Sequence, residues 1–191
     1  MSTSLRVLLV LLPLGACATG PLPPSARLPP DIVTGASDPM RSAILDSAYT
    51  FNRNSSPAAM ARAAAMVEYL TADYAWDHRW SEYTPLAGPA LAAARSELRT
   101  AYAIAPATSP QAAVDGLISV SRAFTLGLEP LLGADVFAEP RLTLTRLTTP
   151  IDLPNTRIAT GMVERELHRI DSERFSGGGP SGQGGGGGAH N

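Results

Sequence analysis

Lysine is missing from this 191-residue chain, so all fifteen basic side chains are arginines. Without lysine there is no Schiff-base nucleophile and no phosphate-loop ammonium. Surplus charge of either sign is missing too. Fifteen arginines against seventeen acids leave a net charge of −2, which argues against a nucleic-acid partner, since such a partner normally needs a basic stripe. A single cysteine, Cys17, excludes an internal disulfide. The leading apolar run, Val7 to Leu14, covers eight residues, whereas a membrane-spanning helix needs about twenty. What is present is 45% apolar residues, enough at this length for one ordinary domain with a core, not for two.

Arg6 followed by that short apolar run has the layout of a secretory signal over residues 1–16. It ends in Leu14-Gly15-Ala16-Cys17, which resembles the lipobox of bacterial lipoproteins. The resemblance covers the N-terminal end alone. It implies cleavage before Cys17, a diacylglycerol on its sulfur, and acylation of the new amine. Each buried methylene contributes about 0.8 kcal/mol, so three chains on one residue would anchor the protein to a membrane. Ala18, not aspartate, after the cysteine implies outer-membrane sorting by the enterobacterial rule, hence an envelope protein facing the periplasm. Ala16-Cys17-Ala18 also fits an ordinary A-x-A cleavage site, which would leave an unlipidated periplasmic or secreted chain starting at Thr19.

Residues 17–36 hold five prolines and are expected to form an extended tether, reaching about 50–60 Å. Residues 176–191 hold nine of the seventeen glycines and predict a disordered tail that includes His190. Residues 37–175, rich in alanine and leucine, read as an all-α domain, a compact bundle of about five helices. Capping residues followed by proline predict helix starts at Ser37 or Asp38 with Pro39, at Ser56-Pro57 and at Ser109-Pro110. The expected spans are 39–51, 57–83, 85–104, 110–130 and 154–174. Residues 141–148 read as helix or loop, although Leu142-Thr143-Leu144-Thr145 alternates like a strand. Apolar stripes are expected at Leu91, Ala94, Leu98 and Tyr102, at Val114, Leu117, Ile118, Phe124 and Leu128, and at Ile158, Met162, Val163, Leu167 and Ile170.

Seven of the eleven aromatic residues fall between Tyr49 and Tyr83. If the second helix runs on to Tyr83, then Tyr69, Trp76, Trp80 and Tyr83 share one stripe. Asp73 projects into it and Asp77 lies at its margin. One reading makes the aromatics core and pairs the aspartates with Arg95, Arg99 or Arg122. The other makes the six residues a ligand groove for a cation or a sugar. His78 and His168 point to polar faces, Glu164 and His168 lack a second pair for a metal site, and Glu166 is expected to bridge to a neighbouring helix. No Gly-x-Ser-x-Gly or Ser-x-x-Lys motif is present, nor a cofactor motif. The expected role is therefore a protein-interaction or scaffold module with an envelope protein as partner. A small-ligand binder is the alternative, and an envelope hydrolase using Asp73 and Asp77 comes third.

Overall fold

A computed structural model of the chain describes residues 24–33, 38–53 and 55–177. The signal sequence, lipobox and Cys17, and all but the start of the glycine-rich segment lie outside those residues. Six helices follow one another: α1 (Pro39–Phe51), α2 (Pro57–Asp73), α3 (Ala87–Ala101), α4 (Pro110–Thr125), α5 (Pro140–Thr148) and α6 (Pro154–Gly177). The described residues contain no strand, only one isolated bridge between Ile104 and Phe137. Three helices start by one device, a short polar side chain ahead of a proline. Asp38 accepts from the Met40 N–H at 3.0 Å, Ser56 from Ala59 at 3.3 Å and Ser109 from Ala112 at 3.2 Å. Each cap satisfies an amide that the first turn leaves without a partner, and proline needs no partner there.

The second helix stops ten residues before the expected end. After Asp73 the chain turns, and a 3₁₀ segment forms at His78–Glu82. The reason lies in Asp77, whose carboxylate accepts the Arg79 N–H at 2.9 Å and so caps a new start instead of continuing the old helix. The break also lets the Trp80 indole fold back onto Asp73.

Apolar on every side, α2 occupies the centre. Ala61, Ala63, Ala64, Ala65, Met66, Val67 and Leu70 are all buried, and α1, α3, α4 and α5 pack around it. In α3, Leu91, Ala94, Leu98 and Tyr102 bury as the stripe predicts. Val114, Leu117 and Ile118 do the same in α4, while Leu128 is exposed because α4 ends at Thr125. The inner face of α6 differs from expectation at its start, where Thr156, Ala159 and Thr160 are buried and Ile158 is exposed. Glu97 of α3 fixes that rotation by accepting from the Thr156 N–H and hydroxyl at 2.8 and 2.7 Å. It serves as a cap supplied by a neighbouring helix.

Part of the expected tether is bound to the domain. Ala26 and Val33 are buried, and Leu28 and Ile32 pack against the core. Arg27 exchanges two hydrogen bonds with Gln111, at 2.8 and 3.2 Å, and Asp31 takes both its oxygens to Arg122. A few apolar side chains among the prolines are enough to dock the segment along α4. The nine steps from Cys17 to Ala26 span about 30 Å at most, roughly half the expected reach.

The end of α3 carries the one non-glycine residue with a left-handed backbone among those described, Ala103 at φ 48°. The Ile104 N–H returns to the Arg99 carbonyl at 2.9 Å and the Ala103 N–H to Thr100 at 3.4 Å, a pattern that usually places glycine here. Ala103→Gly should therefore raise unfolding stability by about 1 kcal/mol, read from urea denaturation; no gain would show that the strain is relieved locally.

Candidate functional site

The aromatic segment forms part of the core. Tyr69, Trp80 and Tyr83 are buried, and the Trp80 ring lies tilted between Tyr74 at 5.3 Å and Tyr83 at 4.9 Å. Gly88 of α3 permits this stacking, because a Cβ there would stand 2.4 Å from the Tyr74 ring. Trp76, 46% exposed, points away from the cluster. The six residues of the expected groove therefore do not share one helical stripe, since α2 ends at Asp73. The cavity beside them holds about 150 Å³ and takes only Tyr83 of the six, less than the roughly 300 Å³ at which ligand pockets begin.

Nor do the two aspartates find the expected partners. Asp73 accepts the Trp80 indole N–H at 3.1 Å; burial pushes its carboxyl up, and that hydrogen bond opposes the shift. Asp77 pairs with Arg79 of its own turn, whose hydrogen bonds hold the carboxyl below its usual range. Arg79 reaches on to Asp38 and ties this turn to the start of α1. Burial pushes the Tyr83 hydroxyl up to about 12. Glu166 also departs from expectation: its ion pair is with Arg169 within α6, at 2.9 Å, while its link to the neighbouring segment is the Thr84 N–H at 3.1 Å. His78 and His168 are exposed.

Arg95 and Arg99, expected beside the aspartates, turn instead to Glu68. Four residues apart on α3, they face α2 together. Glu68 is 1% exposed. Arg99 holds both of its oxygens, at 2.6 and 3.0 Å, and spends its remaining nitrogen on the Thr108 carbonyl at 3.0 Å. Arg95 Nε stands 2.8 Å from the same carboxylate but off the N–H axis, a charge contact without a hydrogen bond. Arg95 has no other carboxylate within ion-pair reach among the described residues, and its side chain is 25% exposed. Two guanidinium groups around one carboxylate leave a positive charge over.

That surplus faces a groove of about 550 Å³ between α3 and α5. Its apolar walls come from Ala92, Ile104, Pro106, Ala138 and Leu142, with Arg95 and Arg99 among the lining and Glu139 at α5. Two backbone bonds hold the walls together, from the Ala105 N–H to the Val136 carbonyl at 2.9 Å and from the Ala138 N–H to the Ala103 carbonyl at 2.8 Å. The sequence carries half of this site openly: Glu68 is the only charge in the run Ala63–Leu70, and arginines four apart on α3 answer it. The other half depends on the 103–106 and 136–139 segments meeting, which no local pattern announces.

Glu68→Gln keeps the shape but strands both arginines. It should lower stability by about 3 kcal/mol, near the low end for breaking a buried pair because the arginines reach solvent. A shift in urea midpoint equivalent to less than about 1 kcal/mol would deny the cluster its structural role.

No known protein family matches the chain, and neither a curated protein nor a solved structure does.

Proposed function

We propose that the chain is a lipid-anchored envelope protein whose helical domain binds a small amphipathic ligand in the groove between α3 and α5. The carrying observation is the position of Arg95, whose Nε stands against Glu68 while the residue lines a largely apolar groove. A ligand with an apolar body and a carboxylate or phosphate head matches that lining, because an anion there would pair with Arg95, which otherwise only shares Glu68 with Arg99. A groove of about 550 Å³ has the volume of an ordinary small-molecule site.

The lipobox ending at Cys17 supports the anchor. With about 30 Å of chain between that cysteine and Ala26, the domain would work close to the bilayer. The docked segment enters beside Gln111, and Pro106 of the groove belongs to the same stretch of chain that leads into α4. The groove would then open near the surface where amphiphiles reside.

A second reading keeps a partner protein in view. Leu126, Leu128 and Leu131 are exposed in six residues of loop after α4, Leu131 to 94%. Such a patch on a tethered domain suits another envelope protein.

Titration with dodecanoate tests the first reading. The wild-type chain should bind dodecanoate more tightly than dodecanol, and Ala92→Trp, which fills the groove from an exposed helix position, should weaken both at least about tenfold. Equal binding by the variant would overturn the groove assignment.

A crosslinking pull-down from envelope fractions tests the anchor and the second reading together. Cys17→Ser should move the chain out of the membrane fraction; a variant that stays would overturn lipidation. One discrete protein captured by the wild type and lost with Leu131→Asp would favour the partner reading, and an unchanged pattern would remove it.

A further inference from the structure

At the C-terminal end of α5 a second cavity, of about 650 Å³, opens where α1 turns into α2 and α5 leads into α6. Three arginines line it: Arg53 from the α1–α2 turn, Arg146 from the last turn of α5 and Arg157 from the first turn of α6. No aspartate or glutamate is among the lining residues. In a chain with more acids than arginines, this local imbalance needs a cause.

Elsewhere the arginines are largely neutralised, as Arg41 is by Asp171 and Arg62 by Asp46. Arg53 and Arg146 have no carboxylate within ion-pair reach among the described residues. Arg53 instead lies 4.5 Å over the Tyr49 ring, a cation–π contact that positions the guanidinium and leaves its N–H edge open. Arg157 has an exposed pairing with Asp152 at 2.8 Å.

Helix-end electrostatics explain only part of the set. Arg146 sits at a helix C-terminus, where a cation is favoured, but Arg157 sits in a first turn, where it is not. The hydroxyls of the rim do not explain it either. Ser55 donates to the Thr50 carbonyl and Thr148 to Leu144, so both protons are used within the chain. The arginines are the charged donors of the lining, beside the Thr149 hydroxyl.

We infer that this groove is a binding site for a phosphate-bearing ligand. The planar guanidinium fork matches two phosphate oxygens at once, and the two unpaired forks of Arg53 and Arg146, with Arg157 shared by the exposed Asp152, suit a doubly charged phosphoryl group. The volume exceeds what a bare ion needs, and Met60, Ile151 and Leu153 offer a surface to the body that carries the phosphate. The site shares no residue with the α3–α5 groove, so it stands whether or not the amphiphile reading does.

Calorimetric titration of the full chain at fixed ionic strength tests this, with inorganic phosphate, glucose 6-phosphate and dihexanoyl phosphatidylglycerol as probes and chloride as the blank. Arg53→Gln and Arg146→Gln should each weaken phosphate binding at least about tenfold with only a small fall in the unfolding midpoint, since neither arginine holds an ion pair and each loses one exposed contact, to Tyr49 or to the α5 terminus. Arg165→Gln, which lines neither groove, should leave it unchanged. Preference for glucose 6-phosphate identifies a soluble phosphorylated ligand, and preference for the short-chain lipid identifies a headgroup; either supports the site. No binding of any probe up to about 10 mM, or binding that both variants retain, overturns it.

Discussion

A carboxylate in the most apolar helix of the molecule must be met by charge from the helix that packs over it, and Glu68 is met by two arginines. This requirement reaches beyond the pair. Arg95 and Arg99 reach one carboxylate only when α3 lies in a single register on α2, so the contact selects that register as well as neutralising the charge. Arg99 then extends to the Thr108 carbonyl and fixes the connection into α4. Thr71 of α2 adds a hydroxyl bond to the Leu91 carbonyl at 3.2 Å, one turn along the same interface. The groove is the outer side of this arrangement, lined by the two guanidinium groups that meet Glu68 and by Glu139.

Sequence reasoning succeeded where the determinant is local. A capping side chain followed by proline marks the starts of α1, α2 and α4 because both residues act within one turn. It overran at Tyr83 because helical periodicity continues on paper past Asp77, whereas capping, aromatic stacking and the Trp80–Asp73 bond together outweigh continued helix. The expected pairing of Asp73 and Asp77 with distant arginines failed for the same reason: once the helix breaks, each carboxylate finds a donor within seven residues. Composition alone does not describe the segment before α1. Prolines do favour extension, but Ala26, Leu28 and Ile32 reach the core, and Gln111 and Arg122 of α4 answer Arg27 and Asp31. Of the candidate grooves only the Glu68, Arg95 and Arg99 cluster is legible locally, because each groove joins segments about 30 to 100 residues apart.

The docked segment also changes the physical meaning of the proposed anchor. A free proline tether would let the domain sample every orientation at a distance. A chain fixed along α4 from Arg27 to Asp31 leaves a short leash that leaves the domain at one place, beside the first turn of α4. On the lipoprotein reading, Cys17 thus restricts which side of the bundle faces the bilayer as well as how far away it sits.

Both grooves depend on α5. This helix has nine residues, with Leu142 and the preceding Glu139 at one groove and Arg146 and Leu147 at the other. Alone, a helix of that length is marginal in water. Within the domain only Thr143 and Leu147 of α5 are buried. Thr143 donates to the Tyr102 carbonyl at 2.6 Å, at the very end of α3 where Ala103 turns left-handed. The strained residue at the close of α3, the hydroxyl bond that follows it and the backbone pairs of the 103–106 turn therefore form one attachment. Glu68 sets where α3 ends, the end of α3 sets where α5 sits, and the position of α5 brings Arg146 to the same cavity as Arg53 and Arg157.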